Sequence, residues 1–360
     1  MQEQINKLSF KGQSIYAGID VHLRSWSVTI LSEHNHHKTF TQPADPTRLA
    51  AYLHTHFPGG TYYSVYEAGF SGFWTHFRLE SMGIKNIVVN AADVASTQKE
   101  KLQKDDAVDS RKLARELRSG DLSGIHVPCI STLEDRSLVR TRSALVKDMS
   151  RFKQRIKSHL YFYGVRFPDQ FEKSGTHWSK RFMKWLKEDI CHRDGCGKHA
   201  LEILIAEAEQ QRKLLLEVTR KVRSLSNDAK YADKIRLLRT IPGIGFITSI
   251  SLLTEFENIN RFHNTDHLAA YVGLVPNRHT SGEKENVGEM TFRGHRLLRS
   301  YLIESAWFAA RLDPALSLCF NTCCRRMESN KAIVKIARKL LNRIYYVLKN
   351  EKEYVCSVVK

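Results

Sequence analysis

The sequence has no apolar run that approaches the roughly 20 residues needed to cross a bilayer, so no membrane-spanning helix is predicted. Its opening stretch, MQEQINKLSF, lacks the basic and then apolar pattern of a secretion signal. The seven cysteines are an odd number at irregular spacings, which argues against a disulfide framework and favours reduced thiols. These absences predict a soluble, cytoplasmic protein with no membrane partner.

Acidic residues are few beside the basic ones. The chain has 56 lysines and arginines against 38 aspartates and glutamates, a net charge of +18. Such an excess favours a polyanionic partner, and nucleic acid is the first to consider. With 360 residues, 42% of them hydrophobic, the chain is long enough for two or three domains with cores of their own.

The first third of the chain is predicted to begin with strands and then to alternate strands with helices. Residues 14–32 form two β-rich segments broken near 22–24, and HHKTFTQ forms a third; helix, strand, helix, strand and helix follow. This order predicts a mixed sheet with helices packed on it. Because βββαβαβα is also the order of an RNase H-like fold, we predict an α/β domain of that type over residues 1–128.

Long helices are predicted beyond Pro128. Residues 142–163 place apolar side chains at three- and four-residue steps among basic ones, and residues 201–225 carry an apolar heptad seam interrupted at Gln211. The pair predicts either an antiparallel coiled-coil arm or an ordinary helical bundle. We assign residues 129–232 to this helical middle and 233–360 to a mainly α-helical C-terminal domain. Candidate phosphate contacts in the middle are Arg151, Lys153, Arg155 and Lys157.

Acidic residues interrupt apolar strands twice in the first domain, at Asp20 in YAGIDVH and at Glu67 in SVYEAG. A buried, unpaired carboxylate is costly, so each needs a cation or hydrogen-bond donors. Two carboxylates on separate strands could share one cation. Taken singly, an acid of this kind also has ordinary structural roles, such as capping a turn or pairing with an arginine.

The helix that begins in KDDAVDS carries three more aspartates, Asp105, Asp106 and Asp109. At about 100° per residue, Asp106 falls on the apolar face and Asp109 beside it, whereas Asp105 falls with Lys112 and Glu116 on the polar side. We therefore expect Asp106 and Asp109 to face the sheet and Asp105 to serve the helix start. Oxygen ligands of this kind suit magnesium or manganese, which favours metal-assisted displacement at a phosphodiester.

Two segments of the last third are also candidates for function. LLRTIPGIGFITS has the form of a helix-hairpin-helix, in which Gly243 and Gly245 would let backbone amides approach a phosphate; a plain helix–helix turn explains the same residues. Further on, a polar, glycine-punctuated loop holds Ser281 among basic residues. Its hydroxyl is a candidate nucleophile, although composition alone makes it a turn residue. Candidate phosphate contacts here are Arg293, Arg296 and Arg299.

A cluster of cysteine and histidine residues lies in CHRDGCGKH, at positions 191–199. It lacks paired CxxC elements, so a solvated loop is favoured over a structural zinc site.

The segments YAGIDVH, VYEAG, KDDAVDSRKLA, IPGIG, LAAYVGLVP, SGE and FRGHRLLRSYLIESAW resemble, in order and over most of the chain, the DEDD transposases of bacterial insertion sequences. The resemblance implies a RuvC-like N-terminal domain and a C-terminal transposase domain with an active-site serine. It implies that Asp20, Glu67, Asp106 and Asp109 bind magnesium or manganese, with no organic cofactor. It also implies that Ser281 attacks a DNA phosphodiester to form a covalent phosphoserine link.

That family includes recombinases guided by a bridge RNA, so the resemblance extends to partners. It implies donor and target DNA, a non-coding bridge RNA bound by the basic helical middle, and a homo-oligomer, dimeric or tetrameric, in the synapse. The acids and the serine that act together would come from different subunits. The protein would lie in the bacterial cytoplasm, and at the nucleoid when it is bound to DNA.

Three functions remain open from the sequence. The first is an RNA-guided DNA transposase that uses serine and metal. The second is a RuvC-like structure-specific endonuclease in which water replaces Ser281, and the third is a catalytically silent nucleic-acid-binding scaffold. The complete set of acids favours an enzyme over the scaffold, and the serine segment favours the transposase over the nuclease.

Overall fold

The computed structural model of the chain describes residues 9–95, 105–188, 190, 195–281 and 284–356. The chain divides into two compact units, Met1–Pro128 and Cys129–Lys360. Within the described ranges, no helix is long and apolar enough to cross a membrane.

A five-stranded mixed sheet forms the centre of the first unit, in the order β3-β2-β1-β4-β5. The strands β1 to β3 form an antiparallel meander, and β4 and β5 run parallel to β1. This confirms the predicted mixed sheet and its three-stranded start. The strands are β1 (Ser14–Val21), β2 (Ser25–Ser32), β3 (His36–Pro43), β4 (Thr61–Glu67) and β5 (Lys85–Val89).

Helices cover both faces of this sheet. The side chains of β1 alternate, so Ile15, Ala17 and Ile19 face one way and pack with α1 (Pro46–His56) and α2 (Trp74–Ser81) in one core cluster. The opposite face packs against α3 (Asp106–Ser119), where Leu113 joins Val65 in a second cluster. The sheet is therefore buried on both sides, as the predicted order of elements requires.

The helix α3 lies unusually close to β1 because Gly18 has no side chain. A Cβ at Gly18 would lie 2.1 Å from the carbonyl oxygen of Ser110 and 2.3 Å from the amide nitrogen of Ala114. The hydroxyl of Ser110 forms a hydrogen bond of 2.9 Å with that of Thr29 on β2. This contact seats the first turns of α3 over the carboxyl-terminal half of β1.

The second unit is mostly helical. A large core surrounds its last helix, whose stripe at Ile333, Ile336, Leu340 and Ile344 is buried as its periodicity predicts. The elements are α4 (Ile130–Phe162), α5 (Lys180–Glu188), α6 (Cys196–Ser224), α7 (Ala232–Leu238), α8 (Phe246–Phe256), α9 (Thr265–Val272), β6 (Pro276–Ser281), β7 (Lys284–Met290), α10 (Arg296–Leu312), α11 (Pro314–Cys324) and α12 (Ser329–Asn350).

The helices α4 and α6 pack antiparallel and share two separate apolar clusters. Near the start of α4, Val139 packs with Val218 and Val222 of α6 inside the main core, as in a bundle. At the other end of α4, Ile156 and Ile205 belong to a separate apolar cluster. The segment between the two helices completes that cluster with Phe171, Phe182 and Trp185.

The polar loop predicted around Ser281 is a β-hairpin, so that prediction of a loop was wrong. The strands β6 and β7 pair antiparallel, and Ser281 is the partner of Lys284. Strand-forming apolar residues are scarce here, which hides the strands from a hydrophobicity pattern.

Candidate active site

Two carboxylates reach the same edge of the sheet because β1 and β4 are parallel neighbours. The register pairs Ile19 with Tyr66, so Asp20 and Glu67 follow at the same level. Asp20 is two residues after Gly18, and Glu67 is two residues after Val65, which packs against α3. Both therefore belong to the face that α3 covers.

The start of α3 adds Asp106 and Asp109 to this edge. Asp105 is the N-cap residue, and its Oδ1 accepts a hydrogen bond of 2.9 Å from the amide of Ala107, as expected for a helix-start residue. Asp106 is the first residue of the helix.

The predicted polar position of Lys112 was wrong, since that side chain is buried. The helix contacts four strands, so its buried face is wider than its apolar stripe.

His22 joins the two elements, and the sequence analysis did not select it. Its Nε2 lies 3.2 Å from Oδ2 of Asp20 and 3.2 Å from Oδ2 of Asp106. The side chains of His22, Asp20 and Asp106 are 44%, 24% and 55% exposed, so the group is open to solvent. The missed indicator was its position two residues after Asp20, which places both side chains on one face of an extended chain.

The electrostatics around Asp20 favour a cation. Burial raises the pKa of Asp20, His22 lowers it, and the carboxylates of Asp106 and Asp109 raise it further. A negative group that is repelled by its neighbours is stabilised when a positive ion enters among them. Oxygen and imidazole atoms of Asp20, His22 and Asp106 all lie within 4.8 Å of one another, which fits the donor set of a divalent metal.

The serine predicted as nucleophile lies in the second unit. Ser281 is the last residue of β6, at the turn of the hairpin. Its side chain lies outside the described part of the structure, so its role as nucleophile stays a prediction. Cys191 and His192 of the CHRDGCGKH segment also lie outside the described residues, whereas Cys196 and His199 are exposed.

The basic candidates on α4 differ in their surroundings. Arg151 and Arg155 are exposed, and Lys157 is partly exposed. Lys153 lies over the ring of Trp178, with Nζ 5.4 Å from the ring centroid, and burial and neighbouring cations lower its pKa. Arg151 pairs with Asp148 at 2.9 Å and Arg155 lies over the ring of Phe152, but both side chains are more exposed than that of Lys153.

The two hairpin glycines have different structural roles. Gly243 has a φ of 86°, and a Cβ there would lie 2.4 Å from the carbonyl oxygen of Ser305 on α10. Its requirement for glycine is therefore explained by helix packing. Gly245 is the N-cap residue of α8, and nothing lies within 4 Å of where its Cβ would be. Only Gly245 leaves space for a ligand beside it.

The three arginines that follow the β6–β7 hairpin also differ in their surroundings. Arg293 and Arg296 are exposed. Arg299 donates hydrogen bonds to the carbonyl oxygens of Gly273 and Thr291, at 3.2 and 2.6 Å. These bonds tie the segments before and after the hairpin together, which gives Arg299 a structural role.

A buried carboxylate that the sequence analysis missed anchors the same region. Glu255 on α8 is 2% exposed, and its two oxygens accept hydrogen bonds from Arg140, at 2.6 and 2.8 Å. His295 Nε2 lies 3.1 Å from Oε2. Nδ1 of His295 accepts from the amide of Leu298, which places its proton on Nε2, facing Glu255. Burial alone would raise the pKa of Glu255, but these donors and the charge of Arg136 lower it to about 2.

Two family profiles match the chain in the places where these groups lie. The DEDD profile of the IS110 family, described as "Transposase", matches residues 17–164, which include all four predicted acids. The profile described as "Transposase IS116/IS110/IS902 family" matches residues 235–320, which include Ser281. The chain belongs to the IS110 family of transposases.

Named relatives of this IS110-family transposase come from several bacteria. Protein y4qE of Sinorhizobium fredii, named as a transposase, is 27% identical over 78% of this chain and 66% of its own length. The transposase for insertion sequence element IS1111A of Coxiella burnetii is 25% identical, over 71% and 70%. The pilin gene-inverting protein of Moraxella bovis is 34% identical, over 33% and 38%. The chain thus spans just under two thirds of the first of these relatives.

Proposed function

We propose that this transposase cuts and rejoins donor and target DNA, with a divalent metal held by its acids and a serine as nucleophile. The observation that carries the proposal is the convergence of Asp20 and Asp106 from separate elements on one histidine, within 4.8 Å. Glu67 ends β4 level with Asp20, and Asp109 follows Asp106 by three residues, about one turn, on α3. A transposase that makes and breaks phosphodiesters needs such a cluster of hard ligands.

Each residue has a definite part in this chemistry. Asp20, Glu67, Asp106 and Asp109 would hold magnesium or manganese, which when bound supplies positive charge to the phosphoryl oxygens. The Ser281 hydroxyl would give its proton to solvent and attack phosphorus, so that an O–P bond to serine forms while a phosphodiester P–O bond breaks and the departing DNA oxygen takes up a proton. Attack by the hydroxyl of another strand then releases the serine and joins the two DNAs.

The partners follow from charge and from the resemblance. A net charge of +18 supports binding to the phosphate backbones of DNA and of a structured guide RNA. Exposed Arg151 and Arg155 on α4, and Arg293, Arg296 and Gly245 in the second unit, are the proposed contacts. Such contacts position a nucleic acid without reading its sequence, which a bridge RNA would do by base pairing.

A trapping experiment tests the proposal. The protein, its element-derived RNA, and donor and target DNA are incubated with magnesium, and a denaturant-resistant protein–DNA adduct is sought. We expect an adduct with the wild-type protein and with the neighbouring control Thr280→Ala, but none with Ser281→Ala. Cleavage to free ends without any adduct would instead indicate the endonuclease, and binding without either product would indicate the scaffold.

A mixing experiment tests the subunit arrangement. Asp106→Ala and Ser281→Ala should each be inactive alone. If acids and serine from different subunits act together in the synapse, the mixture of the two variants should regain part of the activity. Failure of the mixture, with each protein still able to bind DNA, would contradict the shared arrangement.

A further inference from the structure

We propose that His22 is a nitrogen ligand of the divalent cation, so that the centre is a mixed carboxylate and imidazole site that favours manganese over magnesium. This inference rests on the proposed metal role of Asp20 and Asp106. It adds a ligand outside the four acids and a preference among cations.

The contact geometry favours a ligand over a simple ion pair. Nε2 of His22 is 3.2 Å from one oxygen of Asp20 and 3.2 Å from one oxygen of Asp106. A ring nitrogen carries at most one proton, so it can make one full hydrogen bond and not two. A cation among the three atoms would be bound by both carboxylates and by the lone pair of Nε2 at once.

The separations match neighbouring positions on an octahedral ion. Oxygen ligands lie about 2.0–2.1 Å from magnesium in octahedral geometry, so adjacent ligand atoms are about 2.9 Å apart. The 3.2 Å between Nε2 and each carboxylate oxygen is slightly longer than this spacing. Manganese, a slightly larger ion than magnesium, therefore fits with little movement of the side chains.

The backbone holds the ring in this position. The amide of His22 donates to the carbonyl oxygen of Ser25 at 3.1 Å, which closes the short connection from β1 to β2 directly after His22. The side chain therefore extends from the same edge as Asp20, toward the first turn of α3. A ligand on a tight connection between paired strands is more rigidly placed than one on a long loop.

A nitrogen ligand changes which metal is favoured. Carboxylates and waters suit magnesium, calcium and manganese alike, whereas nitrogen ligands are bound better by first-row transition ions, a series that begins with manganese, than by magnesium. Replacing one oxygen ligand with His22 therefore shifts the preference toward manganese. Two carboxylates in the same set keep magnesium acceptable, so the expected effect is a change in relative affinity and not exclusion.

The test is manganese binding to the full-length protein, measured by electron paramagnetic resonance, with pulsed detection of nitrogen-14 coupled to the metal. His22→Gln removes the nitrogen ligand and keeps a polar side chain of similar reach. His34→Gln is the matched control, because His34 is exposed in the connection between β2 and β3. Thermal unfolding without metal shows whether each variant is folded.

We expect a nitrogen coupling in the wild-type protein and in His34→Gln, and its loss in His22→Gln. Loss of an outer-shell partner of a metal ligand typically weakens binding by about 10–100-fold, so the manganese-to-magnesium affinity ratio should fall at least about tenfold when the ligand itself is replaced. Both changes together support His22 as a ligand.

Other results separate this inference from the proposed function. If manganese binding depends on Asp20 and Asp106 but the nitrogen coupling persists in His22→Gln, the ligand assignment is overturned and the metal role of the acids stands. If Asp20→Asn and Asp106→Asn bind manganese like the wild type, both fail. If the coupling is lost as expected but no DNA adduct ever forms, His22 is a ligand and the serine chemistry is wrong.

Discussion

Replacing Glu255 with glutamine should destabilise the second unit strongly, although the change is nearly isosteric. Glu255 is 2% exposed and accepts two hydrogen bonds from Arg140. In the variant, one of those oxygens becomes an NH2 group that faces the guanidinium, a donor against a donor. The positive charges of Arg136 and Arg140 also lose their buried counter-charge.

The size of the effect follows from the pKa. The difference between the ordinary value of 4.5 and the folded-state value of about 2 corresponds to about 3 kcal/mol at neutral pH. Removing one partner of a buried ion pair typically costs about 3–5 kcal/mol, which agrees. We therefore expect Glu255→Gln to lose about 3 kcal/mol in the free energy of unfolding.

The assay is urea unfolding followed by circular dichroism from pH 2 to pH 7. Because the folded-state pKa of Glu255 is depressed, its contribution is present above about pH 4.5 and is lost as the pH falls toward about 2. The gap between wild type and variant should therefore be widest near pH 7 and close at the acidic end. Glu207→Gln, at an exposed position on α6, should change stability by less than about 0.5 kcal/mol. A gap below about 1 kcal/mol at pH 7, or one that does not vary with pH, would refute the reasoning.

Three further predictions concern the first unit and the glycine hairpin. Asp20→Asn should melt at a higher temperature than wild type in EDTA, because the raised pKa of Asp20 means that its charge costs stability as the pH rises past that pKa. Magnesium should raise the melting temperature of the wild type but not that of the variant. A lower melting temperature for the variant than for the wild type in EDTA would contradict this. Gly243→Ala should lower the free energy of unfolding in urea by at least about 2 kcal/mol, because of the left-handed φ at this position and its contact with α10. Gly245→Ala should stay near wild type, and equal losses in the two variants would show that the packing explanation is wrong. Asp105→Ala should lower the free energy of unfolding by about 1 kcal/mol, because the N-cap hydrogen bond is lost, and should keep metal-dependent DNA cleavage. Asp106→Ala should abolish cleavage. Equal loss of cleavage in the two variants would put Asp105 in the metal site.

The sequence was sufficient for the elements whose periodicity and burial agree. The strand carrying Asp20 is nearly continuously apolar because it is buried on both faces, and α12 has a clear core stripe. Asp105 was also predicted at the start of α3, where it is the N-cap residue. Each of these follows from local pattern alone, since the neighbours of each residue along the chain already determine which face it occupies.

The sequence was insufficient where a role depends on contacts made through the fold. Lys112 is buried because α3 lies across four strands, a fact of topology that a helical wheel does not contain. Glu255 receives its partners from residues 115 and 40 positions away, Arg140 and His295. His22 becomes a candidate ligand only because α3 places Asp106 beside it. Long-range pairs of this kind leave no periodic trace in the chain.

The close approach at Gly18 has a consequence for anyone who wishes to alter this transposase. The distance between β1 and α3, and with it the separation of Asp20 from Asp106, is set by direct packing of backbone on backbone, since a Cβ at Gly18 would lie 2.1 Å from the carbonyl oxygen of Ser110. A single methyl group there would act as a spacer that moves Asp106 away from Asp20, although neither aspartate is replaced. Gly18→Ala is thus expected to separate the two carboxylates through the backbone alone.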